Sequence, residues 1–429
     1  MKKIFLIVLL SIASLCSAQF VVQNTPTTNY VNSISSPSNS VAWASGPSQQ
    51  LIRTTTSGES WISALGNIPS TLRFIDIWAQ DSLTAHLSAT GNGGTEAYIF
   101  KTSDGGTTWQ QKFFQSGGFI NATFFINSLT GFASGDPVGG RWTFLKTSDG
   151  GNTWDSSGMY LSAPAGEVGV ANCLFYAGNK IWFGTQSGKI YYSANSGNNW
   201  VITDTYMTGV QAIFFNDAAT GRGFAADNYY ENDTTLLTTF DGISWIMATP
   251  PDLDRIPGLT GIPGSSNYWI TKASSIYRTT NNGDSWHMVY NNLPPNPVLL
   301  DICASRSGPS PRNIYVCRND GKIVKGNADV SSGIELISIE VPDRFELKQN
   351  FPNPFNPTTK IIFNLRNSGN VSLKIYNQSG QLISELVNEY KTPGSYSVDF
   401  DGSNFPSGVY FYKMQSGTTT DTKKMILIK

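Results

Sequence analysis

The sequence is poor in the residues that catalytic and nucleic-acid-binding proteins rely on most. Its 429 residues include two histidines, His86 and His287, four cysteines and only 14% charged side chains. Both histidines lie in strand-like runs, so a Ser-His-Asp or Cys-His catalytic set has little support. Lys and Arg number 29 against 30 Asp and Glu, with a net charge of −1 and no block of like charge. That balance excludes the basic footprint of a nucleic-acid binder or of a protein held on an anionic membrane. Past the N-terminus no stretch reaches about 18 consecutive apolar residues, so no transmembrane helix is expected. No Cys or His spacing resembles a metal-ligand set, and neither a metal nor a cofactor is expected.

What the chain has instead is 41 glycines and 12% aromatic residues, the composition of an all-β extracellular protein. Residues 1–18 read as a signal peptide: Lys2 and Lys3, an apolar run from Ile4 to Ala13, and a small-residue cleavage site at Cys16-Ser17-Ala18. The mature chain is then expected to begin at Gln19. Lipid attachment at Cys16 is the rival reading, disfavoured by Leu15 just before it. Cys173, Cys303 and Cys317 remain after cleavage. A Cys303–Cys317 disulfide is conceivable on neighbouring strands, and service as small buried apolar residues is the alternative.

The organising unit is Ser103-Asp104-Gly105-Gly106-Thr107-Thr108-Trp109, repeated almost unchanged from Ser148 to Trp154 through Asp149 and Gly151. Looser copies run from Ala194 to Trp200 (with Asn195 in place of the Asp), Phe240 to Trp245 (with Asp241), Thr280 to Trp286, and Thr55 to Trp61. The six tryptophans are 48, 45, 46, 45 and 41 residues apart in chain order, a period that signals repeated supersecondary units. Asp-Gly and Asn-Gly steps between β-type runs supply the positive φ of a tight turn. The Asp is placed to accept backbone N–H groups within the turn, and the Trp to wedge between one unit and the next. Between boxes, Phe74 to Leu87, Ala122 to Ala133 and Ala212 to Ala225 share an inner strand, a turn and a second strand, giving four strands per unit.

This S-x-D-x-G-x-T-W pattern resembles the Asp box, or bacterial neuraminidase repeat, of sialidases, sortilin-type receptors, xyloglucanases and photosystem II assembly-factor-like proteins. The resemblance implies a β-propeller with the boxes on the face opposite any ligand site. Residues 19–329 are therefore expected to form a seven-bladed Asp-box propeller. Three strands follow the sixth box without a further Trp, and residues Phe20 to Asn24 resemble the outer strand that follows a box elsewhere, so the N-terminus is expected to complete the seventh blade. A six-bladed or open ring is the alternative.

After a linker at residues 330–340 the pattern changes to short alternating strands at intervals of about ten residues, as a small immunoglobulin-like β-sandwich requires. Residues 341–429 closely resemble the type A sorting domain of the type IX secretion system of Bacteroidetes and their relatives. The residues that carry the resemblance are Asn350-Phe-Pro-Asn-Pro-Phe-Asn-Pro-Thr-Thr359, Gly380, Asp401-Gly402, Ser407-Gly408-Val409-Tyr410-Phe411-Tyr412 and the closing Lys423 to Lys429. It implies passage through the periplasm, contact with the secretion machinery, and release or display at the cell surface.

A ligand site on the face opposite the boxes would draw on the longer loops, whose candidate residues are Glu96, Asp136, Arg141, Trp142, Glu167, Asp227, Tyr229, Tyr230, Glu231, Asp252, Asp254 and Arg255. Aromatics beside carboxylates suit a sugar-binding rim. Arg255-Ile256-Pro257 matches a sialidase signature in composition, but it follows the fifth box instead of opening the propeller. A xyloglucanase-like site would need a second propeller. The sequence thus points to a secreted or surface-displayed monomeric propeller that binds a glycan or protein without chemistry of its own. A glycoside hydrolase is the alternative, to be recognised by two carboxylates roughly 5 to 10 Å apart facing a pocket.

Overall fold

The computed structural model describes residues 20–429 apart from 92, 206, 218–221, 228–235, 249–254, 292–296, 310, 329–334, 339–341, 368, 392 and 403–404. The expected signal peptide and the terminal Gln19 lie outside the described residues. All regular structure among the described residues is β-strand.

Among the described residues, seven sheets precede the tail. Their innermost strands are Ser33–Ser38, Arg73–Ala79, Ile120–Phe125, Gly169–Ala177, Ala212–Asp217, Gly258–Gly261 and Leu299–Ala304, numbered here as sheets 1 to 7. Each innermost strand contacts the next in sequence order, and that of sheet 7 returns to that of sheet 1. The sheets therefore form a closed ring around a central channel, which leaves no inner edge to template aggregation.

Closure of sheet 7 is completed by the N-terminus: Val21–Gln23 pairs antiparallel with Ile323–Ala328, Val22 opposite Val324. Sheet 3 departs from the four-stranded plan. Beyond Arg141–Thr147 it has only two isolated bridges, Arg141 with Ser162 and Lys146 with Asp155. The intervening crossing instead buries Met159 and Leu161 in the core.

The boxes act as staples. In the second, the Asp104 carboxylate accepts Thr108 N at 2.9 Å and Thr108 Oγ1 at 2.6 Å. Thr102 Oγ1 donates to the same carboxylate and accepts Gly106 N. These bonds hold the Asp104 carboxyl down to about 2, the Thr108 hydroxyl contributing most. Asp149 and Asp241 behave alike, also at about 2, and Asn195 accepts Asn199 N in the same role. Gly106 has φ of +85°, and a Cβ there would stand 2.6 Å from Ala64 of the preceding sheet, so both the turn and the packing require glycine. Gly151 sits equally close on His86 with φ of +76°.

Each Trp packs onto the sheet before its own. Trp109 meets Trp43, Trp154 meets His86 as well as Phe125 of its own sheet, Trp200 meets Phe144, and Trp286 meets Phe224. Trp245 packs in the core cluster that holds Trp182, and Trp61 meets Tyr315 across the junction between sheets 7 and 1. His86 belongs to this scaffold. It is fully buried, bonded through Nε2 to Gly150 O, and burial pulls its pKa down to about 3.

The tail packs two four-stranded sheets face to face around Phe363, Tyr396, Val398, Leu373, Ile375 and Tyr412. Its first sheet takes Glu335–Ser338 as an edge strand on Gly394–Asp401, so the segment expected as a linker over 330–340 already contributes to the sandwich. The reason is local: Glu-Leu-Ile-Ser offers a short alternating strand to an open sheet edge. The Pro-rich stretch is held by Asn350, whose Nδ2 bonds Thr359 Oγ1, and by Phe355, which bonds the backbone of Ile426 and Ile428. All three described cysteines are free thiols. Cys303 stands opposite Tyr315, not Cys317, so register denies the pair a cross-strand bond.

Candidate functional site

Most of the described residues expected to form a rim fasten their own loops. Trp142 is 2% exposed and packs on Phe183 and Tyr191, so it is core and offers no surface to a ligand. Glu167 is buried, paired with Lys189 Nζ at 2.6 Å and with the Ser187 hydroxyl. Asp136 accepts Asn121 Nδ2 and Gly169 N. Asp227 is buried and accepts Thr208 N and Oγ1. Glu96 takes the Tyr98 hydroxyl, and Arg141 lies over the Tyr160 ring while donating to Ser156 O. Arg255 is exposed. Tyr229, Tyr230, Glu231, Asp252 and Asp254 lie outside the described residues. Loop carboxylates are legible in a sequence, but whether they face outward or cap their own backbone is decided by the fold.

The cavity that the ring does form is its central channel, about 570 Å³ and lined by the innermost strands of all seven sheets. One wall is aromatic. Trp78, Phe124, Phe175 and Phe214 come from the innermost strands of sheets 2 to 5, with successive ring centroids 4.4, 6.0 and 5.1 Å apart. All four are half-buried, with their free surface on the channel. The remaining sheets present aliphatic groups such as Ile34, Leu259 and Ile302 beside small or polar ones, among them Ser35, Thr260, Gly261 and Cys303. The signal was present in the sequence: aligning Phe74 to Leu87, Ala122 to Ala133 and Ala212 to Ala225 puts Trp78, Phe124 and Phe214 in one column. Only the closure of the ring shows that this column points inward.

Arg306 tops the arc, its guanidinium 4.0 Å from the Trp78 ring centroid, donating to Ser35 Oγ and to Ala79 O. It thereby ties sheet 7 to sheets 1 and 2. Behind the wall, buried Asp76 joins three sheets by accepting Ser33 Oγ at 2.9 Å and Thr123 N at 2.8 Å. Burial raises its carboxyl above the usual range, against those hydrogen bonds.

Across the channel, Asn172 of sheet 4 donates from Nδ2 to Asp301 Oδ2 of sheet 7 at 2.7 Å. Asn172 has φ of +60° inside a bulge between Gly169 and Leu174, the distortion that turns its side chain into the channel. Asp301 also accepts Ile34 N and Ile302 N. Desolvation, and then the nearby Asp76 charge, push its carboxyl up to about 7. Among the described residues that line the cavity, Asp301 is the one carboxylate and Arg306 the one cation. No group of three or more His, Cys, Asp or Glu able to hold a metal occurs among the described residues.

The raised Asp301 has a sign that can be checked. A carboxyl that binds its proton more tightly when folded adds stability below its unfolded pKa of about 4 and loses it as pH rises towards its folded value. The parent is therefore expected to lose thermal stability between about pH 4 and pH 7 relative to Asp301→Asn, with the variant melting several degrees higher at pH 8 and no higher at pH 4. Melting curves by circular dichroism at the two pH values check this; equal offsets at both would show that Asp301 is not perturbed.

Comparison with known proteins agrees with this architecture. Residues 349–429 match the family described as a secretion system C-terminal sorting domain, and residues 91–217 match that of the photosynthesis system II assembly factor YCF48. The first match marks the chain as a secreted or cell-surface protein. Among solved structures, YCF48 bound to D1 peptide is similar at TM-score 0.55 and 16% identity, covering 73% of this chain and 98% of that one. YCF48 from Cyanidioschyzon merolae gives 0.54 and 14%, covering 72% and 99%. The Niastella koreensis GH74 enzyme gives 0.53 and 13%, covering 94% and 67%. At these identities the likeness is one of fold. A comparison with curated proteins found no match.

Proposed function

We propose that this chain is a cargo of the type IX secretion system whose propeller binds an extracellular glycan or peptide in its central channel without transforming it. The observation that carries the reading is the channel itself. At about 570 Å³ it has the size of a ligand pocket, with an apolar wall and a few polar groups facing it. The YCF48 structure with D1 peptide supports ligand binding as a use of this fold, and the sorting domain supports an extracellular place of work. Export runs from the periplasm through the tail, which is cargo address and not binding surface.

Truncation after Ser332 removes the whole sandwich, including its edge strand at Glu335–Ser338. In the native host the truncated propeller is expected to accumulate, folded, in the periplasm, with the surface and medium fractions falling to background by immunoblot. Normal surface amounts of the truncated chain would move the address elsewhere.

A second reading, glycoside hydrolysis, is favoured by one observation: Asp301 is a carboxyl in the channel lining that burial pushes up to about 7, the range of a general acid. Its difficulty is the partner, because both Asp76 oxygens already accept hydrogen bonds behind the channel wall. Product release from oligosaccharides that disappears in Asp301→Asn would establish this reading over the first.

A further inference from the structure

Resting on the channel-binding reading, the geometry points to a narrower ligand: we propose that the channel seats an uncharged, hydroxyl-rich ring, one or more units at the end of a neutral oligosaccharide. Charge argues against an ionic ligand. Among the described lining residues the one cation, Arg306, is already stacked on Trp78 and bonded to Ser35 and Ala79, and the one carboxylate, Asp301, is already bonded to Ile34, Ile302 and Asn172.

The polar lining argues for hydroxyls. Beside the aromatic arc stand neutral groups, among them the Ser35 and Thr260 hydroxyls and the Gln211 amide. A ligand hydroxyl both donates and accepts, so it can meet either kind of group. The arc of Trp78, Phe124, Phe175 and Phe214 supplies the complementary surface, since a pyranose carries apolar C–H faces that lie on aromatic rings.

The test uses the purified mature chain and isothermal titration calorimetry with cellohexaose, xylohexaose, maltohexaose, laminarihexaose and chitohexaose. Parallel arms use hexagalacturonate and a pool of hexapeptides. At least one neutral oligosaccharide is expected to bind, with affinity falling about tenfold or more in Trp78→Ala and in Phe175→Ala, as for aromatic anchors elsewhere. Phe175→Leu, which preserves bulk, keeps the test valid if the alanine variants unfold, and is expected to weaken binding in the same direction. Lys146→Gln, exposed and outside the channel lining, is expected to bind like the parent. Binding only in the galacturonate or peptide arm, lost in the same variants, would overturn the sugar assignment and leave the channel-binding reading standing. Binding of a neutral sugar unchanged by Trp78→Ala and Phe175→Leu would overturn the channel as its site. Silence in every arm would overturn both.

Discussion

Deletion of residues 20–30 is expected to cost the propeller on the order of 10 °C in melting temperature or to make it aggregate. Phe20 is buried, with its ring against Tyr290 and over Gly326. Val21–Gln23 supplies the outer ladder of sheet 7, and Thr25 Oγ1 reaches Gly321 O at 2.8 Å. Without them Ile323–Ala328 becomes a free edge with its N–H and C=O groups open to another chain. Tyr30 and Val31 mark where the segment enters sheet 1, so the deletion also loosens the ring where its two ends meet. Scanning calorimetry with light scattering reads both effects. A monodisperse deletion variant as stable as the parent would show that the strand is ornamental.

Trp109→Ala is expected to destabilise by about 3–5 kcal/mol, the range for removing a large buried aromatic. Its ring is 4% exposed, edge-on to Trp43 at 6.2 Å, and its Nε1 donates to Ala64 O at 2.9 Å. The backbone N of the same residue donates to Asn67 Oδ1, so the residue fastens sheet 2 to the end of sheet 1 at three points. Truncation leaves a cavity between two sheets that are rigidly paired and cannot collapse far. Trp245, which is only half-buried and whose Nε1 is unpartnered, is expected to cost less on the same substitution. Urea titration of both variants checks the order. Ligand binding by the folded fraction of Trp109→Ala is expected to survive, because the box packs between sheets outside the channel lining. A stable variant that loses binding would put the boxes in the site.

Much of the fold was legible because its signals are local. A tight turn needs Asp or Asn followed by glycine at positive φ, and Asp104 to Gly106 and Asp149 to Gly151 announce that chemistry wherever they occur. The tail was legible for a similar reason: the Asn350 to Thr359 stretch and the hairpin from Gly408 encode turn and strand residue by residue. The outer strand at Phe20 was readable from its likeness to the segment after Trp286, and the strand pairing places it on sheet 7. The missing outer strand of sheet 3 was not readable, because the crossing after Trp154 has strand-like residues that the core claims for Met159 and Leu161.

The candidate site divides differently. Sequence by itself determined the all-β composition, the repeat, the box chemistry and the export tail, since each depends on residues that are near neighbours in the chain. It also supplied a roll of loop carboxylates, but not their directions, and Glu167, Asp136 and Asp227 turned inward to satisfy backbone and side-chain donors. Only the tertiary structure decided that Trp78, Phe124, Phe175 and Phe214 form one wall, and that Asn172 meets Asp301 from 129 residues away. The physical reason is closure. A strand alternates its side chains between two faces, but which face becomes the lining of a channel is set by the neighbour on each side, and for sheets 7 and 1 that neighbour lies at the far end of the chain.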